Sequence, residues 1–217
     1  MDFEFIKEFY PMFIKAGILT LNLAFWGIVF SILVGIFCMM IKFYKIKPLV
    51  PIVNGYIELS RNTPLLIQLF FLYYGLPKLG INISSFSCAV IGLTFLGGSY
   101  MAESFRLGFE SVKKSQLEAG LSIGLNDHQL LGYVVLPQAF SVALPSISAN
   151  IIFLLKETSI VSIVALADLV YVAKDLIGLY YKTDEALFML VISYLVIILP
   201  ISLALTWLER RMRVARS

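Results

Sequence analysis

The sequence offers few side chains able to do chemistry. His128 is its single histidine, and Cys38 and Cys88 are its two cysteines. One imidazole supplies neither a histidine-based metal cluster nor a relay between histidines, so no metal site and no catalytic residue is expected. No Gly-x-x-x-x-Gly-Lys-Ser/Thr run is present to cradle phosphates, so this chain should not hydrolyse ATP. Both cysteines lie in apolar stretches and read as small core residues. What remains is a handful of charges close to apolar runs: Arg61, Glu103 and the Lys156-Glu157-Thr158-Ser159 turn. A charge at the centre of a bilayer costs about 2.5–3.5 kcal/mol, so such groups face a protein interior or a wet cavity. Glu103, Arg106 and Glu110 share one helix face. They serve either a polar passage or a salt-bridged stripe where a helix leaves the bilayer. Lys156 could instead snorkel to an interface.

The elements that must position these groups are membrane helices. Hydrophobic residues make up 59% of the 217, charged residues 14%, and the mean hydropathy is +0.89. Soluble domains are nearer half apolar and a quarter charged. Charge is absent from Ala16 to Ile41, Leu79 to Ala102, Gln129 to Leu155 and Ala186 to Leu208. Each run exceeds the roughly 18 residues of a spanning candidate. Backbone groups in hydrocarbon must pair within their own segment, so these runs should be helical. The expected fold is an all-α integral membrane protein with about five transmembrane helices, forming one transmembrane domain over residues 1–217. The helices are expected at Ala16–Ile41, Ile57–Leu76, Ser84–Phe105, Ser141–Ile163 and Ala186–Leu208.

With five spans the termini fall on opposite sides. Placing the C-terminus in the cytoplasm puts eleven Lys and Arg inside, every arginine included, against six outside. The N-terminus is therefore expected outside. The net charge of +3 follows from this orientation and calls for no nucleic acid. The acidic, aromatic start (Asp2, Phe3, Glu4, Phe5) and the long first apolar run do not read as a cleaved signal.

The longest polar insertion runs from Arg106 to about Gln138. Ser115 with Glu118 has capping-box spacing, and Gly124 is placed to end that short helix. Asn126 with Gln129 opens a second helix, Leu125 and Leu130 are spaced as a hydrophobic staple, and Pro137 should limit it. A helix–turn–helix at the membrane surface follows. Local physics leaves open whether it lies in the lipid interface or docks a soluble partner.

The run Gln116-Leu-Glu118-Ala119-Gly120-Leu-Ser122-Ile-Gly124, followed by Leu136-Pro137-Gln138-Ala139, resembles the EAA motif of ABC importer permeases. Gly120 stands where alanine is usual. Glu58-Leu-Ser-Arg61-Asn-Thr63-Pro64, Tyr100-Met-Ala-Glu103-Ser-Phe-Arg106, Leu154-Leu-Lys156-Glu157-Thr158-Ser159 and Trp207-Leu-Glu209-Arg210-Arg211 resemble the polar amino acid branch (histidine, glutamine, arginine type) of that family. The resemblance implies a non-catalytic permease subunit in a bacterial inner membrane, with no cofactor of its own. It implies a cytoplasmic ABC ATPase dimer that binds the ATP, a second permease subunit, and an extracytoplasmic amino-acid-binding protein. It implies ATPase coupling through Glu118, Ala119, Gly120 and Gly124, and a substrate pathway lined by Thr63, Ser99, Glu103, Glu157 and Thr158. Two other classes remain: an ion-coupled carrier, which usually shows repeated halves, and an assembly protein, which needs no docking motif.

Overall fold

The structure, a computed structural model, describes residues 1–214. Among them it contains helices and no strands. Four helical stretches are long and apolar enough to cross a membrane: Phe3–Phe43, Ser85–Glu110, Asp127–Val164 and Thr183–Met212. Leu65–Leu79 is a shorter apolar helix.

Helix α1 (Phe3–Phe43) starts thirteen residues before the expected Ala16. The Asp2 carboxylate accepts the Phe5 N–H at 3.1 Å, which caps the first turn. The Asp2 backbone N–H donates to Glu185 at 2.7 Å, and Lys182 donates to the Asp2 carboxylate at 3.0 Å. These contacts tie the start of α1 to the start of α9 (Thr183–Val214). The early part of α1 has a role in packing: Phe5, Phe13 and Ala16 share a core with Leu169, Val172 and Leu176 of α8 (Leu169–Tyr180).

The expected helix Ile57–Leu76 is in fact broken in two. Helix α2 (Val50–Arg61) ends before Pro64, and α3 (Leu65–Phe70) begins after it, continuing through a π turn and a 3₁₀ turn to Leu79. Proline disfavours helical geometry in the residue before it and brings no N–H, so carbonyls at the end of α2 are orphaned. Side chains take their place. The Thr63 hydroxyl donates to Leu59 O at 2.8 Å, Asn62 to Glu58 O at 2.8 Å, and Gln68 to Thr63 O at 2.9 Å.

Helix α4 (Ser85–Glu110) is central, and its small residues let other helices approach closely. A Cβ on Gly35 of α1 would sit 2.5 Å from Met101 Cβ and 2.9 Å from the Ala102 amide. One on Gly108 would collide with the carbonyl oxygen of Ala139 on α7 (Leu136–Glu157). Gly97 faces Ser31 and Leu154, and Gly98 faces Val34 and Tyr56, so the glycine pair serves packing as its apolar setting suggests. Hydroxyls supply polar contacts across the same seams. Tyr56 and Ser60 both donate to Phe95 O, at 2.7 and 2.8 Å. Asn150 of α7 donates to Ser104 Oγ at 2.8 Å, and Ser104 and Ser146 share a 2.7 Å bond. Cys38 and Cys88 are buried, unbonded thiols in this packing.

Between α4 and α7 (Leu136–Glu157), the insertion forms α5 (Lys114–Ser122), a tight turn and α6 (Asp127–Gln129). Gly124 adopts φ +83°, a left-handed conformation that suits glycine. Asn126 and Gln129 form the full reciprocal capping box. The Ser115–Glu118 box does not form. The helix starts at Lys114, with Lys113 as an N-cap that makes no side-chain bond. Nor does Pro137 end the second helix. A π turn over Leu130–Val135 runs directly into α7, and Pro137, which has no N–H to donate, falls at that junction, where the hydrogen-bond register changes. The chain is helical without a break from Asp127 to Val164.

Candidate translocation seam and coupling knob

Arg61 is the last residue of α2, exposed, with its guanidinium carbon 5.4 Å from the centroid of the Tyr100 ring. Tyr100 packs at 5.3 Å on Phe153 of α7. A cation over an aromatic face is attracted by the ring quadrupole, more strongly where water is scarce. Glu157 lies one turn beyond Phe153 on the same face of α7. Its carboxylate is half-buried and forms no salt bridge among the described residues. The α-helix gives way to 3₁₀ geometry immediately after it, at Thr158. One cation and one carboxylate thus flank a short aromatic run at the meeting of α2, α4 and α7.

The other expected pathway residues are spread more widely. Ser99 is fully buried, donates to Leu96 O at 2.7 Å, and accepts from Ser60 at 3.0 Å, next to Arg61. Thr63 lines a cavity of about 430 Å³ with Ile67, Phe71 and Phe95, but its hydroxyl is spent on Leu59 O. Thr158 is fully buried and donates to Leu155 O at 2.7 Å. Glu103 is held by Arg106 at 2.8 Å and Lys42 of α1 at 3.5 Å, while Arg106 also pairs with Glu110 at 2.6 Å. The stripe reading therefore describes Glu103 better than an open passage does. Sequence reasoning passed over Tyr100, Asn150 and Phe153. Tyr100 and Asn150 carried a usable signal, polar atoms inside apolar helices; Phe153 carried none.

On the insertion, Glu118, Ala119 and Gly124 are exposed. Gly120 is buried, and a Cβ there would meet Leu130 Cδ1 at 2.5 Å and Leu125 Cδ1 at 3.4 Å. Both leucines of the expected staple therefore close over Gly120, and an alanine there would require the Leu130 tip to shift. Leu121, Ile123 and Tyr133 are left exposed, Ile123 at 79%.

Sequence reasoning also missed α8. Asp168 caps it, accepting the Tyr171 N–H at 2.9 Å. The second carboxylate oxygen is buried without a partner, as is the Tyr194 hydroxyl. Burial pushes the Asp168 carboxyl from its ordinary 3.8 up to about 6, against the opposing pull of the Tyr171 and Val170 amides and Lys174. Between about pH 4 and 6 the folded chain keeps a proton that the unfolded chain releases, so this group's effect is to lower stability as pH rises through that window. The full effect is about 3 kcal/mol in order of magnitude. Asp168→Asn keeps a capping oxygen and removes the titration. The fall in apparent Tm of the purified protein from pH 4.5 to pH 7 should be smaller in the variant than in the wild type. An unchanged fall assigns the pH dependence to other groups.

Long charge-poor helices, packed through glycines and buried hydroxyls around a polar seam, define a multi-pass membrane protein of permease type. The model of the binding-protein-dependent transport system inner membrane component family matches residues 27–214. The chain belongs to this family and is a multi-pass inner-membrane protein. It is 35% identical over 217 residues to the probable amino-acid ABC transporter permease protein PatM of Vibrio harveyi, covering 99% of this chain and 97% of that one. It is 39% identical over 163 residues to the probable amino-acid permease protein YxeN of Bacillus subtilis (strain 168), covering 74% and 73%. A crystal structure of an amino acid ABC transporter with histidines superposes with a TM-score of 0.90 at 36% identity, over 97% of this chain and 99% of that chain.

Proposed function

We propose that this chain is the permease subunit of an ATP-binding-cassette importer and forms the membrane path for a polar amino acid. An extracytoplasmic binding protein delivers the substrate, a second permease subunit completes the path, and a cytoplasmic ATPase dimer, which binds the ATP, drives it. The family and the amino-acid permeases among its relatives support this reading. The observation that carries it is the exposed face of the insertion. Glu118 and Ala119 sit beside Leu121 and Ile123, apolar side chains left bare outside the membrane spans. Such a patch calls for a partner. Gly124 and the Asn126 cap hold its shape, and Gly120 acts from beneath as packing. The broken pair α2–α3 supplies the fifth crossing, with the N-terminus outside and the C-terminus inside. Arg213 and Arg216, part of the charge balance behind that orientation, have no described side chains, and Arg216 lies outside the described residues.

At the seam, Arg61 receives the substrate carboxylate and Glu157 its ammonium, with Tyr100 and Phe153 as the floor. Thr63, Ser99 and Thr158 hold the surrounding backbone, and Glu103 braces α4 against α1. Reconstituting the chain with its ATPase, second subunit and binding protein should give ATP-dependent amino acid uptake. Glu118→Lys should reduce ATPase co-purification at least about tenfold, the cost of one misplaced charge at a close interface, while leaving the apparent Tm unchanged. Undiminished co-purification with full uptake would remove this face from the coupling site.

A further inference from the structure

A second cavity, of about 400 Å³, opens where α1 and α4 end against the insertion. Its walls are apolar and aromatic: Phe43, Tyr44, Phe109, Leu117, Leu131 and Val135 among others, with Asp127 and His128 at one side. Phe43 packs edge-on against Tyr44 at 5.3 Å and Phe109 at 5.2 Å. The charge-free part of α1 stops at Ile41, so these rings fall at the boundary between hydrocarbon and water, where aromatic belts lie. Lysines follow both walls. Lys45 comes directly after Tyr44 with Lys47 two residues further on, and Lys113 and Lys114 come directly after Val112. All four are exposed and have no carboxylate partner among the described residues. The nearby acids Glu103 and Glu110 are occupied by Lys42 and Arg106, leaving Asp127 as the wall's own negative charge.

An apolar slot at interface depth, with unpaired lysines next in sequence to its lining residues, matches one ligand class by charge and by shape. Basic pockets between transmembrane helices recognise anionic headgroups. We propose that this groove holds one acyl chain of an anionic phospholipid, with the lipid phosphate met by Lys45, Lys113 and Lys114. A lipid there would brace the insertion against the ends of α1 and α4. This site is separate from the Arg61–Glu157 seam, and its failure would leave the importer reading intact.

The test uses the assembled transporter in vesicles of phosphatidylcholine with one-fifth phosphatidylglycerol. In parallel samples, a photoreactive acyl chain is carried by one lipid or the other. The phosphatidylglycerol probe should label peptides spanning 43–44, 109–117 and 128–135 well above the phosphatidylcholine probe. The triple variant Lys45→Gln, Lys113→Gln, Lys114→Gln should reduce that labelling at least about fivefold, roughly the worth of a single lysine near the surface. These lysines are exposed, so the variant keeps its fold. Equal labelling by both probes identifies an unselective lipid annulus and overturns the proposal. Labelling that appears only in the permease without its ATPase overturns it in favour of a protein partner.

Discussion

A Gly35→Val or Gly108→Val substitution is expected to lower the apparent Tm of the purified protein by about 10 °C and to reduce its membrane yield. The atoms a new side chain would meet are the reason. At Gly35 they include the Ala102 amide and the Met101 carbonyl carbon, both at 2.9 Å, and at Gly108 the Ala139 backbone carbonyl. Backbone cannot swing aside as a leucine tip can, so whole helices must separate. Overpacking typically costs 1–3 kcal/mol, and these sites belong at its upper end, where about 3 kcal/mol corresponds to about 10 °C in a chain of this size. Gly178→Ala is the internal control, because nothing lies within 4 Å of the added carbon. If all three variants melt alike, the close α1–α4 and α4–α7 approaches do not hold the bundle together.

The second large effect is expected in transport. Arg61→Gln and Glu157→Gln should each reduce amino acid uptake by the reconstituted transporter about tenfold or more, with the apparent Tm preserved. A hydrogen bond to a charged group is worth about 1.5–3 kcal/mol, which corresponds to roughly 10–100-fold. Neither side chain forms a salt bridge among the described residues, so neither substitution strands a charged partner inside the protein. Glu103→Gln would instead break the bridges to Arg106 and Lys42 and should reduce stability as well as uptake. If Glu157→Gln retains full uptake and unchanged selectivity, Glu157 is not part of the site.

The spans were legible because hydrocarbon imposes a simple rule: long charge-free runs must be helices. Their ends were less legible. Helix α1 extends back to Phe3 because Asp2 meets Lys182 and Glu185, residues some 180 positions away that no local pattern announces. Pro64 and Pro137 show why one residue type can read two ways. Pro64 breaks its helix; Pro137 falls within a first turn after a π turn that local propensity does not encode. Helix α8 was lost because it is too short to span and lies among charges, although Asp168 is a standard cap. At the seam, the charged residues were visible as costly exceptions in an apolar chain. Their division into a brace (Glu103) and an unpaired acid (Glu157) depends on which helix stands opposite, and that is a tertiary fact.

The unbroken run from Asp127 to Val164 puts the exposed turn and the Glu157 end of α7 on one continuous helical path. At 1.5 Å per residue, the stretch from Asp127 to Glu157 is about 45 Å long. Pivoted as a unit by about 5° at its capped tip, that path would sweep its far end sideways by about 4 Å, most of a helical turn's rise. A displacement of that order exceeds the roughly 3 Å length of a hydrogen bond, so it would make or break any contact of the Glu157 carboxylate without refolding.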